Sequence, residues 1–143
     1  RVAGMVGVAA SPDLVVRWWE GLDDAQRDDL ETKGSCRRSS LYSEEPYVVT
    51  KTLIEDGCRN KVLQQPLPVA CPVRLLHGMQ DLDVPWQVSL ELAERITHKD
   101  VEVHLIKGGD HRLSRPEDLA RLVTTVERLC AYITSRECSK AAG

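Results

Sequence analysis

The sequence predicts an α/β fold built on a parallel sheet, and two observations support this prediction. Apolar runs that suit buried strands occur at residues 2–10, 72–78 and 101–106, and unbroken runs of this kind are typical of strands covered on both faces. Segments with helical spacing of apolar residues follow the second and third runs. Strands that alternate with helices form parallel sheets, whose functional loops gather at the carboxyl ends of the strands.

The first apolar run, residues 2–10, predicts a core strand in the centre of the sheet. Residue 1 is arginine rather than methionine, and strand-like sequence begins at Val2. We therefore expect these 143 residues to be the carboxyl-terminal part of a longer protein, with any targeting peptide further upstream.

A charged segment at residues 11–68 interrupts the strand pattern and predicts a mostly helical insertion that serves as a lid. Residues 14–19 are amphipathic, and residues 23–30 have the pattern of a capped, acidic helix start. Residues 46–51 suit a short extended piece, which is followed by a helix that we expect to break at Gly57.

Residues 69–135 are predicted to carry the acid and the histidine on the remaining strands and helices. A helix at 87–96 connects the two later strands, and Pro116 opens the last helix. One face of that helix is predicted to be apolar, formed by Leu119, Leu122, Val123, Val126 and Leu129. Residues 136–143 are a polar tail that we expect to fray.

Composition excludes several classes of function. The net charge of −3 is small and its signs are interleaved, so a nucleic-acid partner is not expected. The apolar stretch at 2–10 is far shorter than the roughly 20 residues of a membrane-spanning helix, so no span is expected. The five cysteines include no Cys-x-x-Cys pair, which favours a reducing compartment with mostly buried thiols over disulfides or zinc. We expect neither a cofactor nor a metal.

Asp81 and His111 are the candidate catalytic pair, because each follows the end of a predicted strand. A serine hydroxyl needs a base to remove its proton, and an imidazole base needs a carboxylate to fix its tautomer and stabilise its charged form. Asp81 suits the acid and His111 the base. Asp83, two residues along the same loop, is the rival acid. Asp110 is interpreted as a turn-former or a partner of Arg112.

Several histidine, glycine and tryptophan residues outside this pair have structural interpretations. His77 is predicted to be a hydrogen-bonded residue beneath the acid loop rather than a ligand. Gly108-Gly109 is interpreted as a turn that presents the histidine, because no lysine-serine pair or helix follows that would make it a phosphate site. Trp18-Trp19 either lines an acyl pocket or packs in a core, and Trp86 is expected to pack under the acid loop.

The runs from Pro72 to Trp86 and from Asp100 to Arg112 resemble the α/β-hydrolase superfamily. By this resemblance Asp81 matches the catalytic acid of the family and His111 matches its catalytic base. The family's chain order is nucleophile, acid, histidine, so the resemblance implies the carboxyl-terminal half of an α/β-hydrolase fold. The branch it resembles contains serine hydrolases that cleave acyl thioesters, including S-palmitoyl groups on proteins, and esters such as acyl glucuronides; its vertebrate member is mitochondrial. The resemblance implies an acyl-protein or small-molecule ester as substrate.

The serine motif Gly-x-Ser-x-Gly does not occur in the sequence. The nucleophile and the neighbouring oxyanion-hole amide therefore have no counterpart in these residues. We predict that the full-length protein is a serine hydrolase and that residues 1–143 alone are inactive. One alternative is a truncated isoform or pseudoenzyme that acts as a binding module and exposes a strand edge. A peptidase or a carbon-carbon bond hydrolase on the same fold also stays open.

Overall fold

The computed structural model describes residues 2–39 and 44–141. The described residues fall within two compact units, bounded by 1–11 with 65–143 and by 12–64. We call the first the sheet unit and the second the inserted unit. The elements of the described residues are β1 (Met5–Val8), α1 (Leu14–Glu20), α2 (Asp24–Lys33), β2 (Ser35–Arg38), β3 (Tyr47–Thr50), α3 (Lys51–Arg59), β4 (Val73–Gly78), α4 (Gln87–Arg95), β5 (Val101–Ile106) and α5 (Pro116–Ala141).

The sheet unit contains a three-stranded parallel sheet in the order β1, β4, β5. Met5 lies opposite Val73, which in turn lies opposite Val101. The central strand β4 is the most buried, as its apolar sequence predicts, and α4 packs against the sheet through Leu92 and the adjoining Ile96. The predicted α/β class, with a parallel sheet and flanking helices, is confirmed.

The central position predicted for the first strand stays a prediction, because the neighbours of this strand are known only among the described residues. There β1 pairs with β4 alone and forms an edge of the sheet, and Val2 and Met5 are 66% and 47% exposed. An unbroken apolar run indicates that both faces of a strand suit burial. It carries no information about which strands lie on either side.

Helix α5 departs from the sequence prediction in two respects. Its buried positions include Asp118, Thr125 and Leu129, whereas three members of the predicted apolar face are exposed: Leu119, Val123 and Val126. The exposed apolar residues and the buried Leu129 therefore lie on different sides of the helix. Leu129 packs beside Gly4, where a Cβ would lie 3.1 Å from the Leu129 side chain. The helix also continues to Ala141 instead of fraying after 135, because residues 136–141 include no helix breaker.

No helix of the described residues combines the length and apolar content that a bilayer crossing needs.

The inserted unit contains three helices and an antiparallel pair, β2 and β3, in which Cys36 lies opposite Val49. Its core consists of Leu22, Leu30, Cys36, Val49 and Ile54. Trp18 and Trp19 pack against this core, which agrees with the packing alternative for the two tryptophans. The strand β2 was not predicted, because Ser-Cys-Arg-Arg contains a single apolar residue and shows no alternation.

Helix α3 runs through Gly57, where a break was predicted. A Cβ at this position would lie 2.7 Å from the Cβ of Val15 in α1. The glycine therefore permits a close approach of two helices, and the contact offsets the cost of about 1 kcal/mol that glycine carries within a helix.

The cysteines are less buried than predicted. Cys36 and Cys71 are buried and Cys58 is half-buried, but Cys130 and Cys138 are exposed on α5. All five are free thiols. The apolar spacing of α5 did not predict the exposure of these two thiols.

Candidate active site

The acid loop begins where β4 ends. Three residues after Gly78, the carboxylate of Asp81 accepts hydrogen bonds through Oδ1 from the backbone N–H groups of Asp83 at 2.8 Å and Val84 at 2.9 Å. An aspartate that binds the backbone two and three residues ahead closes its own turn. The side chain of Asp81 is therefore fixed in the loop before any partner from elsewhere is considered.

The histidine turn follows β5 and is joined to the acid loop through backbone hydrogen bonds. The N–H of Met79 donates to the carbonyl of Ile106 at 2.8 Å, and the N–H of Gln80 donates to the carbonyl of Gly109 at 2.8 Å. Asp110 stabilises the turn by accepting the N–H groups of Arg112 and Leu113, so it forms the turn as its position predicts. The two loops consequently hold each other in register.

Gly78 allows the two loops to come this close. A Cβ at Gly78 would overlap the carbonyl oxygens of Gly109 and Asp110, and a Cβ at Gly109 would lie 3.1 Å from the Cα of Gly78. By contrast, a Cβ at Gly108 would meet only the end of the Arg115 side chain, at 3.4 Å. Adjacent glycines in the same turn thus differ in what they permit: Gly109 and Gly78 pack backbone against backbone, and Gly108 does not.

We expect the substitution Gly78→Ala to lower the free energy of unfolding by about 3 kcal/mol, because the new methyl group meets backbone atoms that have no rotamer to change. The matched substitution Gly108→Ala is expected to change it by less than about 0.5 kcal/mol. Urea unfolding of both variants beside the wild type measures the difference. Equal stability of the two variants would contradict the proposed role of Gly78.

The structure brings the two predicted residues together. His111 Nδ1 lies 2.8 Å from Asp81 Oδ2, although the residues are 30 positions apart. The Asp81 side chain is completely buried, and the His111 side chain is 32% exposed. A carboxylate is an acceptor, so Nδ1 of His111 carries the hydrogen and donates it, which puts the lone pair of the neutral imidazole on Nε2. This is the tautomer that a general base requires; the catalytic role itself stays a prediction.

Two opposing effects act on the Asp81 carboxyl. Burial raises its pKa, but the hydrogen bonds from the Val84 N–H, His111 and the Asp83 N–H lower it, and together they hold the pKa of Asp81 below its usual value. The carboxylate is therefore ionised at neutral pH although it has no contact with solvent. A buried negative charge facing an imidazole stabilises the imidazolium that forms when His111 takes a proton.

The rival acid, Asp83, has a different environment. Its Oδ2 is buried and has no hydrogen-bond partner among the described residues. Asp81, Asp83 and His111 each offer one ligand atom within 4.8 Å of the others, so this group could hold a metal ion on distance alone. Asp81, however, already uses both oxygens in hydrogen bonds within the protein, and a metal would have to displace them.

His77 lies beneath the acid loop, where the sequence placed it, and is completely buried. Its Nε2 is 3.1 Å from Asp81 Oδ2 and 3.0 Å from the carbonyl of Val84, and its Nδ1 is 2.7 Å from Ser89 Oγ. Sequence reasoning missed Ser89. The available signal was its spacing, since Ser89 lies three residues before Leu92 on the buried face of α4 and is a polar residue at an apolar position.

Comparisons with known proteins agree with the sequence resemblance. The chain is 38% identical over 130 residues to mouse palmitoyl-protein thioesterase ABHD10, mitochondrial, covering 90% of this chain and 44% of the mouse protein. The solved structure of alpha/beta hydrolase domain-containing protein 10 from mouse matches with a TM-score of 0.81 and 37% identity, over 92% of this chain and 53% of that one. A protein from Agrobacterium vitis S4 matches with a TM-score of 0.85 and 40% identity, over 90% and 50% of the two chains.

These findings confirm the resemblance to α/β hydrolases, and they show that the branch that the sequence resembles is that of abhydrolase domain-containing protein 10. The described residues have a partial α/β-hydrolase fold. The chain spans 42% to 44% of the length of the curated relatives it matches. No family model matches the chain.

Proposed function

We propose that the full-length protein is a serine hydrolase that cleaves acyl thioesters or carboxylic esters, with His111 as the general base and Asp81 as the acid that orients it. The observation that carries the proposal is the 2.8 Å contact between His111 Nδ1 and a completely buried carboxylate. An ionised acid with no contact with solvent, paired with a partly exposed imidazole, is the arrangement that activates a hydroxyl nucleophile.

In this proposal a serine hydroxyl attacks the acyl carbonyl carbon while His111 Nε2 takes its proton. The tetrahedral adduct collapses, the bond to the thiol or alcohol breaks, and the imidazolium returns its proton to the leaving group. Water then attacks the acyl-enzyme with His111 again as base, which releases the carboxylic acid and restores the serine. Asp81 stabilises the imidazolium in both halves and keeps its own charge throughout.

The nucleophile is proposed to lie outside the 143 residues. Two observations support this: the absence of any Gly-x-Ser-x-Gly motif from the sequence and the 44% share of the mouse relative that the chain covers. The oxyanion-hole amide that accompanies such a serine would lie outside as well. We also propose that the inserted unit acts as the lid.

The substrate proposal rests on the named relatives. They are palmitoyl-protein thioesterases described as mitochondrial, so we propose S-palmitoylated protein as the first substrate to test and the mitochondrion as the compartment. Small-molecule esters, including acyl glucuronides, are the second class. Neither needs a cofactor, because the chemistry requires only the serine, the imidazole, the carboxylate and water.

A fluorophosphonate probe, which reacts covalently with activated serines, tests the proposal. We expect one labelled serine in the full-length protein, located by mass spectrometry outside residues 1–143, and hydrolysis of a palmitoyl-peptide thioester. Heat-denatured protein is the control for non-specific labelling. Specific labelling of a protein that consists only of residues 1–143 would contradict the proposed position of the nucleophile. A folded full-length protein that neither labels nor hydrolyses would favour the alternative of a non-catalytic binding module.

A further inference from the structure

Asp81 has a second histidine on the oxygen that binds His111. Oδ2 lies 2.8 Å from His111 Nδ1 and 3.1 Å from His77 Nε2. Because Oδ1 accepts two backbone N–H groups, the carboxylate has four hydrogen-bond partners among the described residues. The catalytic step requires only one of them, the bond to His111.

The tautomer of the neutral His77 ring follows from its hydrogen-bond partners. Both groups near Nε2, the Asp81 carboxylate at 3.1 Å and the Val84 carbonyl at 3.0 Å, are acceptors, so Nε2 must carry the hydrogen, and the two acceptors share this single N–H. The lone pair of the neutral ring is then on Nδ1, and the Ser89 hydroxyl at 2.7 Å donates to it. Ser89, His77 and Asp81 therefore form a chain of hydrogen bonds with one direction, which ends at the oxygen that His111 uses.

This chain resembles a catalytic serine, histidine and aspartate by distance, but burial gives it a different role. Ser89 and His77 are both 0% exposed. No substrate can reach the Ser89 hydroxyl, and the aspartate is already committed to His111. The arrangement can act on Asp81, and only through Asp81 on the reaction.

We propose that His77 and Ser89 are positioning residues for the hydrolytic reaction: the His77 N–H fixes the Asp81 carboxylate so that Oδ2 points at His111 Nδ1, and Ser89 fixes the His77 ring. This inference rests on the proposed function. The backbone bonds to Oδ1 hold one end of the carboxyl group, whereas its rotation about the Cβ–Cγ bond is limited by what holds Oδ2. Among the described residues, His77 and His111 supply those bonds, and His111 must move protons.

The test compares His77→Gln, whose side-chain N–H reaches the same position as Nε2, with His77→Leu, which has no donor. In the full-length protein we expect His77→Leu to lower kcat about 10-fold to 100-fold, the factor that one hydrogen bond to a charged group represents, with KM within about 2-fold. His77→Gln is expected to recover most of that loss. Ser89→Ala is expected to give a smaller loss in the same direction.

A second measurement separates positioning from a general effect on folding. The His111 Nδ1–H proton gives a downfield proton resonance, which we expect to broaden and move upfield in His77→Leu and to stay near its wild-type position in His77→Gln. His104→Gln, at an exposed histidine on β5, is the control and should change neither readout. An unchanged resonance in His77→Leu, or equal losses of kcat in the leucine and glutamine variants, would overturn the inference.

The resonance is observed without substrate, so the two proposals can fail separately. A wild-type protein with no turnover would refute the hydrolase proposal, while the response of the resonance would still decide whether His77 holds Asp81. If His77→Leu does not fold, Ser89→Ala carries the test, because it removes one bond of the chain and keeps the other side chains in place. A resonance and a kcat equal to those of the wild type in Ser89→Ala would then overturn the inference.

Discussion

Replacing His111 by alanine is expected to lower kcat of the full-length protein by about 10⁴-fold or more, the size of loss that follows removal of a general base from a serine hydrolase. The imidazole is the group that takes the proton from the serine and returns it to the leaving thiol, so both halves of the reaction lose their proton carrier. KM is expected to change little, because His111 acts on the transition state rather than on substrate affinity. Steady-state hydrolysis of a palmitoyl-peptide thioester measures both constants.

His104→Ala is the matched control for this experiment. It removes a histidine from β5, seven positions earlier, whose side chain is 43% exposed and pairs with Glu102. We expect its kcat to stay within about 2-fold of wild type, since surface substitutions of this kind have small effects. If the kcat of His111→Ala equalled that of His104→Ala, His111 would have no role in the mechanism.

The meeting of Asp81 and His111 could be predicted from the sequence because it depends on topology. Residues that follow neighbouring parallel strands lie at one edge of the sheet whatever their separation along the chain. The apolar runs of β4 and β5 identified those strands, and the structure pairs the two strands directly. The identity of the acid was open to two residues, and the turn geometry that fixes Asp81 is local and recognisable only when the backbone is known.

Other features depend on information that a sequence pattern does not contain. Positions 57 and 78 are both glycine, yet Gly57 permits two helices to pack and Gly78 permits two loops to pack. The buried bond from His77 to Ser89 depends on the rotation of α4 about its axis. The edge position of β1 depends on which strands are present beside it. Each of these is set by tertiary neighbours, whereas periodicity reports only the burial that a segment suits.

The substitution Asp81→Asn is expected to lower kcat about 10³-fold to 10⁴-fold, while Asp83→Asn lowers it less than about 10-fold. An asparagine amide at position 81 can present N–H to His111 Nδ1, which then becomes the acceptor and leaves Nε2 protonated. The base is then in the wrong tautomer, although the side chain keeps nearly the same shape. Asp83 is the matched control because it lies on the same loop and its Oδ2 has no hydrogen-bond partner among the described residues.

The substitution Asp81→Asn should also change how the stability of the protein depends on pH. Because the folded protein holds the pKa of Asp81 below its usual value, ionised Asp81 stabilises the fold above its unfolded pKa of about 3.9, and this contribution is lost as pH falls through the lower folded value. Asparagine cannot ionise, so Asp81→Asn should be less stable than wild type at pH 7, and the difference should shrink towards pH 3. Urea unfolding across that range measures it. A difference in stability that stays constant with pH would mean that the charge of Asp81 does not contribute to the fold. In the kinetic experiment, a loss of kcat as large in Asp83→Asn as in Asp81→Asn would assign the role of the acid to Asp83.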